Sequence, residues 1–326
     1  MRRPAASAAS GLPTPVRPGP VRRDPARIPP ARIPPVWIPP IWRGPVLGAA
    51  LLAAVVALAV VGAGVTSPAA RAADRAAQLA VPPTPLAAHR ALYTLTLDDR
   101  TGDNGGSDVA GASGTMGYEV IDACDGWATH QTLDMRVVNT DGQTIHMISD
   151  YTTWEAKDGL SFRFHTRQTT DDAVTLQTDG DAKLTGPGGL GTVHYTSPKD
   201  TTKELPAGTL FPMAHTSALL AGARAGKKFI TLPLFDGTSE DGAEDTSIVV
   251  LNSKPPEPTP YAVLSALPSA RVHLAFFERT PSTTLPDYQV SMRYWENGIA
   301  DALIMDFGDF VMDAKLSDLK VQPHRC

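Results

Sequence analysis

Residues 89–321 repeat one simple pattern, in which short segments alternate between apolar and polar side chains. Tyr93 and Leu95 fall on one face of such a segment, and Leu133 and Met135 share a face of another, with Gln131 as a polar exception. A period of two is that of a half-buried β-strand. Twelve segments follow it: 89–98, 114–121, 127–138, 143–155, 160–169, 173–184, 227–235, 246–253, 271–279, 287–296, 299–307 and 310–321.

Turn signals lie among these segments, and they favour hairpins. Asx-Gly pairs lie between them at 125–126, 141–142, 158–159, 179–180, 236–237 and 297–298. Such pairs suit positive φ, and the last pair predicts a type I′ hairpin. The spacing therefore predicts an all-β fold, a long antiparallel meander that is closed or nearly closed on itself. Loops are expected at 102–114 and at 255–260, where a domain linker is the alternative to an edge crossing.

One segment breaks the pattern and predicts a single central helix at 210–225. It has no β-branched run and is rich in Ala and Gly. Pro212 suits the first helical turn, Thr209 is a candidate N-cap, and Gly226 followed by two lysines is a stop signal. A helix amid strands indicates a sheet that is wrapped on a helical plug or divided by it.

The N-terminal 73 residues differ from the rest in composition. Residues 1–45 hold 13 of the 30 prolines and eight arginines, which predicts a disordered or polyproline-like segment. Residues 46–65 carry no charge and are long enough to span a bilayer. Residues 46–73 are therefore expected to be a signal peptide cleaved after Ala72, with an uncleaved membrane anchor as the alternative. Residues 74–326 are expected to form one exported β domain.

The charge of the exported part excludes some partners. Residues 1–73 hold nine of the 29 basic and one of the 34 acidic residues, so residues 74–326 carry a formal net charge of −13. An acidic domain of this kind is a poor candidate for binding nucleic acid or for plain electrostatic adhesion to anionic lipid.

The chain has two cysteines, Cys124 and Cys326. In an oxidising compartment such a pair is first interpreted as a disulfide, which here ties the C-terminal tail to the end of an early strand. A metal site and a reactive thiol are the alternatives, and no CxxC motif supports either. The loop-entropy model gives closure of so long a loop an upper value on the order of 5 kcal/mol.

No motif for catalysis, metal or cofactor binding is present. The eight histidines show no HxH or HExxH spacing, and nucleophile-elbow, phosphate-loop and dinucleotide fingerprints are missing. His215 lies near the helix start beside two hydroxyl residues, but no nucleophile or orienting acid is evident. A histidine hydrogen-bonded to a neighbouring strand is favoured over a general base. We therefore expect no cofactor, no metal site and no enzymatic activity.

The chain resembles the EipB-type cell envelope integrity family of Gram-negative periplasmic proteins. The segments that carry the resemblance are LAAHRALYTLTL (86–97), GTMGYEVIDACDGW (114–127), TTWE (152–155) with FRF (162–164), GTLFPMAHTSALLAGARAG (208–226), LFDG (234–237) and the terminal Cys326. The resemblance implies an open, spiral-like antiparallel β-barrel with a long helix between its two β portions. It also implies a disulfide between Cys124 and Cys326, periplasmic localisation, and an architecture similar to lipoprotein carriers of the LolA/LolB kind.

Three functions remain open at this point. The leading hypothesis is a non-enzymatic periplasmic protein that supports envelope integrity by holding a lipid or lipidated peptide in an apolar cleft. The cleft residues expected on the helix and its entry loop are Phe211, Met213, His215, Leu219 and Leu220. Simple filling of the barrel by these side chains is at least as strong an interpretation. The alternatives are a scaffold that contacts other envelope proteins through a strand edge, and a hydrolase with His215 as base.

Overall fold

The computed structural model describes residues 86–98, 107–279 and 285–323, and within them it contains fourteen β-strands and two helices. The strands are β1 (His89–Leu97), β2 (Val109–Asp122), β3 (Gly126–Asn139), β4 (Thr144–Ala156), β5 (Ser161–Thr170), β6 (Ala173–Leu184), β7 (Gly191–Ser197), β8 (Thr201–Leu205), β9 (Phe229–Leu234), β10 (Glu244–Lys254), β11 (Ser269–Glu278), β12 (Tyr288–Trp295), β13 (Ala300–Asp306) and β14 (Val311–Val321). The helices are α1 (Pro212–Arg224), between β8 and β9, and the short α2 (Ala262–Ser265), between β10 and β11.

All fourteen strands form one antiparallel sheet. Its order runs from β8 back to β1, then from β14 back to β9, so β1 and β14 join two consecutive meanders. The two edges of the sheet, β8 and β9, are the strands that α1 connects. The predicted all-β class, with one central helix and an open antiparallel sheet of a dozen or more strands, is confirmed.

The helix and its entry segment fill the gap between the two edges. Leu210 forms an isolated parallel bridge with Leu234, and its amide nitrogen lies 2.9 Å from the Pro233 carbonyl. Helix α1 then packs along β9 and β10. At about 1.5 Å per residue the 13-residue helix is about 20 Å long, which matches the length of the six-residue β9.

Several local predictions are wrong. Strands β7 and β8 were not predicted, since β8 has the sequence TTKEL, which lacks an apolar alternation. Strand β2 begins at Val109, inside the loop predicted at 102–114, because small residues hide its alternation. Helix α2 was also missed. The loop predicted at 255–260 is confirmed as irregular structure.

Two predicted turns differ from the structure. Within the turn between β12 and β13, residues 296–299, only Gly298 has positive φ, at 83°, so the turn is followed by a glycine bulge and is not type I′. The β5–β6 hairpin turns instead through Asp171 and Asp172, both with positive φ. Gly180 lies within β6, where an added Cβ would come within 2.3 Å of the His194 carbonyl oxygen. That glycine therefore serves close strand packing and not a turn.

The inner face of the sheet forms two main hydrophobic clusters. The larger one joins β1–β4, α1 and β9–β14, and it contains Tyr93, Leu95, Leu133 and Met135, as the alternation predicts. The smaller one is aromatic and covers β5–β8; its members are Phe162, Phe164, Ala182, Val193, Tyr195, Leu205, Phe211, Phe235 and Ala243. Phe211 immediately precedes α1, and Phe235 immediately follows β9. Both side chains pack in the aromatic cluster of the β5–β8 half.

The loop between β9 and β10 is held inside this aromatic half. The Tyr151 hydroxyl donates to the Asp236 carbonyl at 2.7 Å, and the Thr178 hydroxyl donates to the Gly237 carbonyl at 2.6 Å. Gly237 has φ +75°, and a Cβ there would lie 2.2 Å from Phe164. Only glycine fits this position, both for its backbone conformation and for its contact with the ring.

Candidate functional site

The N-terminus of α1 is capped by a side chain from a distant strand. The helix starts at Pro212, two residues later than predicted, and Thr209 does not cap it, since its hydroxyl donates to the Pro206 carbonyl at 2.7 Å. The side-chain carboxyl oxygens of Glu155, on β4, accept hydrogen bonds from the amides of Met213 and Ala214 at 2.7 and 2.8 Å. These are amides that a capping side chain normally serves.

Glu155 is 2% exposed, and burial raises its pKa to about 8, while the two amide hydrogen bonds act in the opposite direction. The sequence held one signal for this role. Glu155 shares its alternation phase with the buried Tyr151 and Thr153, so an acid occupies an inward-facing position. Its partner amides, 58 and 59 residues away, could not be found from the pattern.

His215 is buried in the core and paired with a hydroxyl. Its Nε2 lies 2.8 Å from the Thr246 hydroxyl, which itself donates to the Leu232 carbonyl at 2.8 Å. The ring therefore donates from Nε2, and within the described residues its Nδ1 has no hydrogen-bond partner. Burial lowers the pKa of His215 to about 4. A neutral ring that donates to the hydroxyl does not activate that hydroxyl as a nucleophile.

The five residues predicted to line a cleft are all buried: Phe211, Met213, His215, Leu219 and Leu220. Phe211 stacks on Phe162 with ring centroids 5.0 Å apart, and the three aliphatic side chains pack in the larger cluster. These residues thus fill the interior of the sheet. Of the five, Leu220 alone lines the pocket described next.

A pocket of about 240 Å³ lies at the C-terminal end of α1, between the helix and the ends of β10–β12. Its lining is mainly apolar, with charged side chains at α1, β10 and the β12–β13 turn. Leu220, Ala223, Arg224, Ser253, Lys254, Pro268, Ser269, Ala270, Tyr294 and Glu296 form it. Arg224 pairs with Glu296 at 2.9 Å, and Lys254 pairs with Glu257 at 3.0 Å. The hydroxyl of the buried Ser269 has no partner among the described residues.

A second polar feature lies on the inner face of β3–β5. Four neutral side chains there have buried polar atoms without a hydrogen-bond partner within the described ranges: Gln131, Ser149, Thr166 and Gln168. Ser149 is directly opposite Gln168 in the β4–β5 register. Buried polar atoms are normally paired, because leaving one unpaired costs about 1–3 kcal/mol.

Most of the other histidines pair with acids on the outer face of the sheet. His130 lies 2.9 Å from Asp150, and His146 lies 2.8 Å from Asp134. Across the described ranges no three His, Cys, Asp or Glu side chains converge in a way that could hold a metal ion. The acid–histidine pairs are therefore cross-strand contacts on the sheet surface.

The cysteine pair is described only at one end. Cys124 lies in the β2–β3 turn with φ 70°, and its amide donates to Asp122 at 3.1 Å. Cys326 lies outside the described residues. Just after β14, the Gln322 side-chain amide donates to Glu119 of β2 at 3.1 Å. The disulfide stays a prediction.

A family model described as EipB-like matches residues 80–323, about three quarters of the chain. The chain belongs to the EipB-like family. The Cell envelope integrity protein EipB of Brucella abortus (strain 2308) is 33% identical over 243 residues, which cover 72% of this chain and 84% of that protein. A crystal structure from Brucella abortus, described as a beta-barrel-like protein of a domain of unknown function, matches with a TM-score of 0.66 and 31% identity. That match covers 74% of this chain and all of the other.

The match to the EipB-like family model covers every described strand of the open sheet. Among the described residues, neither helix has the length and apolar character needed to cross a bilayer. The predicted apolar segment at 46–65 and the Pro/Arg-rich segment at 1–45 lie outside the described residues.

Proposed function

We propose that this protein supports the integrity of the cell envelope from the periplasm, and that it does so without catalysis, by binding an acyl chain of a lipid or lipidated peptide. The envelope role is supported by membership of the EipB-like family and by the similarity to the Cell envelope integrity protein EipB of Brucella abortus. The non-enzymatic part is supported by the burial of His215 and by its donation to Thr246.

The observation that carries the binding proposal is the pocket at the C-terminal end of α1. Its apolar lining includes Leu220, Ala270 and Tyr294, while Arg224 and Lys254 add cations. Sites that enclose a whole drug-sized ligand measure about 300–1,000 Å³. At about 240 Å³ this pocket suits one part of a larger molecule, such as the end of an acyl chain whose head group stays near the cations.

The test is to fill the pocket from its exposed side. Ser253→Trp places an indole in the pocket from an exposed strand position, so folding is expected to survive. Asn252→Trp is the matched control, since Asn252 is an exposed neighbour that does not line the pocket. Binding of a fluorescent fatty acid is measured by titration, and lipid co-purified from the native envelope is measured by native mass spectrometry.

The proposal predicts that the wild type and Asn252→Trp bind the fatty acid and carry lipid, while Ser253→Trp does neither. Equal binding by all three proteins would show that the ligand does not occupy this pocket. A lipid-free mass for the wild type, together with no fatty-acid binding, would refute the binding proposal altogether.

A further inference from the structure

One end of the sheet exposes an aromatic side chain beside unpaired lysines. Phe229, the first residue of β9, is 76% exposed, and Leu251 near the end of β10 is 50% exposed. Phe229 pairs in register with Val249, so Leu251 follows two residues later along the neighbouring strand. We name the surface formed by Lys227, Lys228, Phe229 and Leu251 the β9 face.

The lysines of this face have no acidic partner within the described residues. Lys228 is exposed and Lys227 is half-buried, and they follow directly on the end of α1. Arg224 and Lys254, which line the pocket at the same end, form ion pairs with Glu296 and Glu257. The β9 face therefore combines an exposed aromatic group with two cations whose charge is not neutralised locally.

Acidic and basic residues are distributed unequally between the connections at the two ends of the sheet. In an antiparallel meander alternate connections lie at the same end of the sheet. At the end opposite the β9 face, the described connecting residues contain eleven acidic and two basic residues. At the end that holds the β9 face, the connections contain four acidic and three basic residues. The acidic charge of the domain is thus concentrated away from the β9 face.

We propose that the β9 face docks on the surface of a membrane that contains anionic lipid. An exposed Phe flanked by lysines suits the boundary between head groups and acyl chains, where the ring is buried and the cations meet lipid phosphates. The polarity of the domain turns its acidic end away from the bilayer, and at physiological salt a charge acts over only about 8 Å. The net acidic charge of the domain argues against plain electrostatic adhesion to anionic lipid, but it is compatible with docking through one local surface.

The docking surface is separate from the pocket of the proposed function, although both lie at the same end of the sheet. Pocket residues such as Ala270 and Tyr294 are on the inner face, whereas Phe229 points outward and does not line the pocket. Membrane docking and acyl-chain binding can therefore fail independently. If both hold, an acyl chain reaches the pocket from the bilayer over a short distance.

Co-sedimentation with vesicles tests the docking proposal on the folded domain. Vesicles of phosphatidylcholine alone are compared with vesicles of phosphatidylcholine and phosphatidylglycerol, using the wild type, Phe229→Ser and the double variant Lys227→Glu/Lys228→Glu. Val174→Ser and Lys199→Glu are matched controls, because these residues lie at the opposite end of the sheet, where Val174 is exposed and Lys199 is in the β7–β8 turn. Circular dichroism checks that each variant is folded.

The wild type and both controls are expected to bind the anionic vesicles and not the neutral ones. The double lysine variant should weaken the partition coefficient at least tenfold, since each surface lysine contributes roughly fivefold. Phe229→Ser should weaken it several-fold, and raising the salt should release the wild type. Should Phe229→Ser fail to fold, the lysine variant still decides, because its residues lie outside the strand.

Three outcomes would overturn the proposal. The first is wild-type binding that is equal for both kinds of vesicle or is missing for both. The second is full binding by the double lysine variant. The third is self-association of the wild type in analytical ultracentrifugation that Phe229→Ser removes, which would assign the face to a second copy of the chain. The fatty-acid titration of Ser253→Trp is read separately, so failure of docking and failure of pocket binding are distinguishable.

Discussion

Replacing Glu155 tests how α1 is held in the sheet. Glu155→Ala removes both acceptors of the Met213 and Ala214 amides, and Glu155 itself is buried. An unpaired buried donor costs about 1–3 kcal/mol, so the loss for two donors is about 2–6 kcal/mol of unfolding free energy. Glu155→Gln keeps one acceptor oxygen but turns an amide NH₂ toward the second donor. Its expected loss is about 1–2 kcal/mol, the range for a lost helix cap.

The pH dependence of this effect has a definite sign. The unfolded chain ionises Glu155 near its ordinary pKa of 4.5, whereas the folded chain keeps the proton until about pH 8. Between these values the folded state binds more protons, so the contribution of Glu155 to stability falls as pH rises. The slope is at most about 1.4 kcal/mol per pH unit. Below about pH 4.5 the contribution is fully present, and above about pH 8 it is lost.

Urea unfolding followed by tryptophan fluorescence at several pH values measures both quantities. The difference in unfolding free energy between wild type and Glu155→Gln isolates this group, because every other titrating residue is common to the two proteins. Between pH 5 and pH 7, the unfolding free energy of the wild type relative to that of Glu155→Gln should fall by about 2–3 kcal/mol. A difference that is flat, or that grows with pH, would show that the two amide bonds outweigh burial. A loss below about 1 kcal/mol for Glu155→Ala would show that the cap is not needed.

Three further predictions concern other parts of the fold. Gln131→Met should raise the unfolding free energy by about 1–3 kcal/mol, measured by urea unfolding, since it removes unpaired amide atoms; destabilisation would show that a bound molecule satisfies them in the interior. Gly237→Ala should lower the melting temperature strongly through its clash with Phe164, whereas Gly142→Ala, at an open turn with similar φ, should cost only the strain of the backbone. Thiol labelling of unreduced protein should find neither Cys124 nor Cys326 reactive, and Cys124→Ser should destabilise by up to about 5 kcal/mol; two labelled thiols would disprove the disulfide.

The predicted features were those whose cause is local in the sequence. Tyr93 and Leu95 could be placed on the inner face because a strand with one buried side must alternate. Strand β8 was not predicted because its five residues are held by pairing with β7 and not by an apolar pattern of their own. The Glu155 cap was not predicted for a similar reason, since its partners are distant in the sequence. Of the predicted cleft residues only Leu220 reaches the pocket, because periodicity shows which residues are buried but not where packing is incomplete.

The arrangement of edges explains why the helix is where it is. An open sheet leaves two edge strands with unpaired backbone groups, and exposed edges invite association with other chains. Here one edge, β8, is only five residues long, and the other, β9, is bridged at Leu234 by Leu210 and packed against α1. The helix thus closes the gap that fourteen strands leave open. Since it ends at Arg224, beside the ends of β10–β12, the packing that it provides also ends there, and the pocket forms at that position. The pocket at the end of the helix is therefore a consequence of how the sheet is closed.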